Sequence, residues 1–230
     1  PGAGFALNEV RVEPLAFAAH ANDFVASVAK DSPRGLFPRG FSGEQAYWTI
    51  LGIDGGSEQG LIGEDGAIEV GKGGFSIEPF VIVDGTSLSW ADVEATRSLQ
   101  DGYLPIPSVD WSHSDAHLRT TAFVDSDSLT SPSSRSQIVA RYVLRNPSAN
   151  ARDYTLALVV QPFQVNPPSQ FLNTTGGVSR IASLAFANDG VASVDGRVRV
   201  FPQRRPDAAF ATPFDAGMAA AHLATGALPS

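Results

Sequence analysis

Acid pairs, imidazoles, nucleophilic serines and side-chain amides are the groups in this sequence that can carry chemistry. Each places its own demand on the fold. A glycosidase needs two carboxyls facing each other across a sugar, one of them held protonated. Glu64, Glu69, Glu78, Asp84 and Asp92 all fall near the ends of predicted strands, but spacing along the chain does not fix their separation in space. The run DWSHSDAH holds Asp110, His113, Asp115 and His117, residue types that bind metals. The same run fits a hairpin with Ser114 and Asp115 at its tip, which lacks the fixed outer shell a metal site needs. Neither a metal nor a cofactor is therefore expected, and His20 and His222 stand isolated. GFSGEQ at 40–45 lacks the Gly-x-Ser-x-Gly order of a nucleophile elbow. EVGKGGFS at 69–76 lacks the spacing of a phosphate loop and has no helix after it, so it is expected to be a tight turn.

Amides and aromatics make a stronger pattern. In LVVQPFQVNPPSQFLN, 158–173, a strand-like start gives way to Gln164, Asn166, Gln170 and Asn173, with Phe163, Phe171 and the pair Pro167-Pro168 between them. Sugar rings stack their C–H faces on aromatic rings, and amides bind sugar hydroxyls. Gln164, Asn166, Gln170, Phe171 and Asn173 are accordingly the candidate contacts to a substrate or a neighbouring domain. The alternative is that these amides satisfy the loop's own backbone. Tyr47, Trp48, Trp90, Tyr103 and Trp111 complete the aromatic set, with core packing the expected role of Trp48 and Trp111.

These side chains need a frame. Sixteen basic against twenty-four acidic residues give a net charge of −8, which argues against nucleic acid and against an anionic membrane surface. No apolar run approaches the roughly 20 residues that span a bilayer. Cysteine is absent, so disulfides and thiolate sites are excluded while the compartment stays open. From Glu44 onward, about ten short apolar runs alternate with turn signals such as Asp84-Gly85 and Asp195-Gly196. This predicts an all-β, mainly antiparallel, two-sheet sandwich, with no helix between 44 and 205. SQIVARYVLRN and RDYTLALVVQPF are expected to be long paired arms flanking a polar turn at 146–151. Residues 5–17 alternate around Val10 and Val12 and predict a strand. Residues 21–30 predict a short helix capped by Asn22 or Asp23, with Phe24, Val25 and Val28 at helical spacing. An Ala-rich helix over 214–228, with Asp215 as its N-cap, is expected to be a linker. The chain starts at Pro1 without Met, which fits a piece of a longer protein.

Three strings, GFSGEQAYWTILGIDGGSEQGLIGEDGAIEVGKGGFSIEPFV, SLSWADVEATRSLQDGYLPIPSVDW and QPFQVNPPSQFLN, together resemble the N-terminal region of large bacterial proteins. Those proteins carry a glycosidase-like six-hairpin α-barrel and often a discoidin-type domain. The resemblance runs from about Glu9 to the last helix. Related enzymes are glucoamylase-like hydrolases and cellobiose phosphorylase-like enzymes. The resemblance implies a galactose mutarotase-like β-supersandwich over 1–212 and a helical linker over 213–230, leading to a barrel that would carry the catalytic acids. No residue of this chain matches a catalytic motif of that family. The implied function is a non-catalytic scaffold in a carbohydrate-active enzyme, with carbohydrate and the helical barrel as partners. It also favours the periplasm or the cell exterior. The alternatives are a free-standing carbohydrate-binding module and a mutarotase-like or epimerase-like enzyme. The enzyme would need His113 or His117 to converge with Asp110 or Glu78.

Overall fold

A computed structural model describes residues 20–54, 56, 58–127, 136–170, 174–213 and 216–225. The predicted strand at 5–17 and the candidates Phe171, Asn173 and Asp215 lie outside the described residues.

The fold is an antiparallel β-sandwich. One sheet runs β1 (Trp48–Leu51), β2 (Gly60–Gly63), β3 (Ile68–Glu69), β4 (Ser76–Val83) and β10 (Tyr154–Gln161), with β5 (Thr86–Leu88) sharing the β3 edge of β4. The other runs β6 (Glu94–Gln100), β7 (Leu104–Ser112), β8 (His117–Ser126) and β9 (Ser136–Arg145). A small third sheet holds β11 (Leu184–Phe186), β12 (Ala192–Val194) and β13 (Arg197–Val200). Among the described residues no helix lies between 44 and 205, as expected.

Two-residue periodicity explains how the sheets meet. In β8, Leu118, Thr120 and Ala122 turn inward while His117 and Arg119 stay out. Leu51, Ile62, Ile68, Val81 and Val83 of the first sheet meet Val109, Trp111, Leu118 and Ala122 of the second in one core. Turn chemistry sets the registers. Asp84 and Gly85 both take positive φ (48° and 85°), as do Asp195 and Gly196 (51° and 72°). A two-residue hairpin turn needs that conformation, and Asp-Gly supplies it at low cost. The β7–β8 hairpin also forms with Ser112 opposite His117, which leaves Ser114-Asp115 at its tip.

One expectation fails. The arms at 136–145 and 154–161 are both strands, but they do not pair with each other. β9 pairs with β8 over ten positions, and β10 pairs with β4 over eight. The polar 146–153 connection crosses from one sheet to the other instead of closing a hairpin. Asn146 and Ser148 fold it with local bonds to Asn150 O, at 2.7 Å and 2.9 Å.

Helical segments pack outside the sandwich, one against the segment that follows β10 and one on the outer face of the first sheet. α1 (Ala21–Lys30) buries Val25 and Ala29, four residues apart, and leaves Phe24 and Val28 exposed. Its N-cap is His20, and no side chain caps it. Asn22 and Asp23, the expected caps, do not fill that role, and Asn22 is used elsewhere. A single 3-10 turn, Arg39–Phe41, follows. Phe163 is fully buried between Phe37 and Phe41, with ring centroids 6.2 Å and 5.1 Å away. α2 (Ala219–Thr225) seats Ala220 and Leu223 against Phe80 and Val159 of the same sheet face.

Candidate functional site

After Gln161 the chain leaves β10 as a closed loop. Phe163 bridges Val178, Gln164 N donates to Gly177 O (2.7 Å), and Gly177 N donates to Asn166 O (2.8 Å). The amide side chains work inward. Gln164 Nε2 donates to Thr175 O at 2.9 Å and Asn166 Nδ2 to Thr174 O at 3.4 Å. Both residues are buried, whereas Gln170 is half-buried and contributes backbone bonds to Pro167 and Gly176. The NH2 groups of Gln164 and Asn166 thus hold the loop's own backbone. Gly176 is required by close approach, since a Cβ there would sit 2.2 Å from Pro167 O.

Asn22 clamps this loop from α1. Its Nδ2 donates to Gly176 O at 2.9 Å, and its Oδ1 accepts from Val178 N at 2.8 Å. Asn22→Ala strands both backbone groups and is expected to cost about 1–3 kcal/mol. Urea unfolding read by near-ultraviolet circular dichroism checks this. An unchanged midpoint would show that the clamp contributes nothing.

Beneath the loop lies a layer of carboxyls that sequence spacing could not assemble. The β2–β3–β4 meander carries Glu64, Asp65, Glu69 and Glu78. Glu69 accepts from Gly73 N (2.9 Å) and Asn166 N (3.1 Å), and burial still raises its pKa. Asp65 receives Arg39 Nη2 at 2.8 Å, but burial outweighs the ion pair and lifts its pKa. Glu64 receives Arg97 Nη1 at 2.5 Å. Glu44 is gripped by Arg34 at 2.6 Å and 3.0 Å, which lowers its pKa. Glu78 differs. It is buried against the neutral Gln161, whose Nε2 donates at 2.5 Å, and burial pushes its pKa up to about 8. Asp84 and Asp92 lie apart from this layer. Asp84 pairs with Arg152, and Asp92 accepts from Ser89.

Two cavities meet at Tyr47, Gly63 and Glu64. The inner one, about 40 Å³, is walled by Arg39, Glu64, Asp65, Ser76, Glu78 and Gln164. That volume admits solvent-sized occupants and is too small for a sugar ring. The outer one, about 330 Å³, opens where edge strands β1 and β6 leave the sandwich uncovered. Such a volume suits a small ligand. Tyr47, Trp48, Ile62, Leu99 and Pro107 give it apolar walls, with Arg97 and Glu64 at the rim. The Tyr47 ring is 55% exposed, and the buried Trp48 Nε1 has no protein acceptor.

Trp90 and Trp111 are core, with indole N–H groups on Phe37 O (3.1 Å) and Asp65 O (3.0 Å). Trp48 departs from the expected core role because its strand lies at the open edge. His113 accepts from Asp115 N at the β7–β8 tip, and neither His113 nor His117 lines either cavity. Neither imidazole is thus brought to Glu78, while His117 stands on the same face of the β7–β8 hairpin as Asp110, which Arg119 binds at 2.6 Å. Among the described residues no cluster of three or more His, Cys, Asp or Glu has metal-binding geometry. The chain matches no family model, no curated protein and no solved structure, so the functional reading rests on the geometry.

Proposed function

We propose that the chain is a non-catalytic β-sandwich domain of a carbohydrate-active, glycosidase-like enzyme. It binds saccharide in the outer cleft and serves as scaffold for a helical partner domain. The outer cleft carries this reading. It pairs an exposed tyrosine with the neighbouring Trp48 side chain, in a volume suited to a small ligand. A ring-faced platform beside a few polar groups is what hydroxyl-rich ligands select. The 162–178 loop has a supporting role here. Its Gln164, Val165, Pro167 and Pro168 wall the inner cavity and leave the outer cleft to the aromatics.

Isothermal titration of the chain against a panel of neutral and acidic oligosaccharides tests the proposal. Tyr47→Ala is expected to weaken the best ligand at least tenfold while leaving the melting temperature within about 2 °C, since an exposed ring holds little of the fold. Absence of binding across the panel, or equal binding by the variant, would sink it.

A further inference from the structure

The chain carries a net charge of −8, yet one surface beside the small sheet is basic. Arg197 and Arg199 lie two residues apart on β13, an edge strand of that sheet, and so share one face of it. Arg199 Nη2 donates to Val70 O at 3.2 Å, and its guanidinium carbon sits 5.4 Å from the Phe75 ring centroid. This places β13 beside the 70–75 turn, whose tip carries the exposed Lys72. The turn is the Gly-rich EVGKGGFS run, and Gly71 and Gly73 take positive φ on either side of the lysine (80° and 68°). Ser179 Oγ donates to Gly73 O at 3.0 Å, which brings the exposed Arg180 to the same turn. Three separate stretches of sequence thus set Lys72, Arg180, Arg197 and Arg199 around one turn. Among the described residues none of these pairs with a carboxylate, whereas Arg34, Arg39, Arg97, Arg119 and Arg152 all do. The neighbouring acids are occupied. Asp195 Oδ1 accepts from Ala182 N and Ser183 N, and the buried Glu69 accepts from Gly73 N and Asn166 N.

We propose that this surface binds an acidic saccharide, with its carboxylates on Lys72, Arg197 and Arg199. Unpaired like charges held together on an otherwise acidic chain raise the local potential and draw an anion. Guanidinium forks match carboxylate geometry through paired N–H groups. Arg199 spends one nitrogen on Val70 O, and with Phe75 that bond holds the side chain in place before any ligand arrives. Phe201, 70% exposed and one residue past β13, offers a ring beside those charges for the C–H face of a sugar. One ring falls short of the successive aromatic platforms on which single-stranded nucleic acid stacks. The choice of a saccharide rests on the carbohydrate reading above, but the surface is separate from the outer cleft and shares none of its walls.

Titration of the full chain with oligogalacturonate, with its fully methyl-esterified counterpart and with single-stranded DNA of similar length tests this. The free acid is expected to bind, and to be released in about 1 M sodium chloride, where screening acts beyond about 3 Å. The ester keeps the sugar chain without its charge and is expected to bind more weakly. Lys72→Gln combined with Arg197→Gln removes two exposed charges that bond nothing among the described residues. It is expected to weaken the acid by about fivefold or more with the melting temperature unchanged. Tyr47→Ala is expected to leave acid binding intact, so the basic surface and the outer cleft fail separately. Equal affinity for acid and ester, an undiminished double variant, or no binding of the acid would overturn the assignment, even where neutral oligosaccharides still fill the cleft. DNA held as tightly as the acid through the same two residues would overturn it in favour of a nucleic-acid surface.

Discussion

Glu78→Gln should be more stable than the wild type at neutral and alkaline pH and nearly equal to it near pH 4. The carboxyl titrates near its ordinary value of 4.5 in the unfolded chain and at about 8 in the folded one. Burial is the main cause, and the negative charge of Asp65 adds to it. A raised folded pKa means that the unfolded state releases the proton first. The stability associated with the neutral carboxyl is therefore fully present below about pH 4.5, falls as pH rises, and is lost by about pH 8, above which the curve levels. At pH 7 the loss is on the order of 3 kcal/mol, from about 1.4 kcal/mol per pH unit. The glutamine does not titrate. Its oxygen can still accept from Gln161 Nε2, and its amide replaces the carboxyl proton as donor. For a chain of this size, 3 kcal/mol corresponds to roughly 6–12 °C in melting temperature. Melts of both proteins from pH 4 to pH 9 give the difference curve. Parallel curves would mean that water solvates Glu78 in the folded state well enough to cancel the effect of its burial.

The strands were legible in the sequence because alternation and Asp-Gly pairs act locally. His117, Arg119 and Thr121 outward against Leu118, Thr120 and Ala122 can be read from the text alone. Strand partners act at a distance and cannot. β9 and β10 each show the right faces, and a polar eight-residue link suits either a hairpin or a crossing. What decides is that the long edge of β4 offers Glu78 opposite Val159 and Ser76 opposite Gln161. That register, about eighty residues apart in sequence, also assembles the acid layer, so no spacing rule could have grouped Glu69, Glu78, Gln161 and Gln164. Asn22 shows the same limit from the other side. An Asn near a helix start has a local cap as its expected use, and tertiary contact with Val178 N and Gly176 O took precedence. The amide-rich loop was the one long-range feature that announced itself. A surface loop rarely holds so many amides without a backbone to satisfy, and the structure shows that the NH2 groups of Gln164 and Asn166 do that work.

Trp90→Ala is expected to be the most damaging single substitution, at about 3–5 kcal/mol for a fully buried indole. Trp90 lies just before β6, in the core between the two sheets, yet its Nε1 donates to Phe37 O in the helical cover. It also carries the guanidinium carbons of Arg34 and Arg39 at 4.6 Å and 4.4 Å from its ring centroid. Both arginines bond Glu44, and Arg39 bonds Asp65. One ring thus joins the sandwich core, the cover and the acid layer, so its loss opens a cavity and frees two cations from their shared support. Trp90→Phe separates these effects. It restores much of the volume but strands Phe37 O, at a cost of about 1–3 kcal/mol. The ordering is the test. Chemical denaturation should place Trp90→Phe between the wild type and Trp90→Ala. The cover should loosen first, seen as faster amide exchange in 21–41 than in β7 and β8. If exchange instead rose evenly across both sheets, Trp90 would be a core residue only, and the helical cover would owe its seat to Phe163, Phe41 and Phe37 without help from the indole.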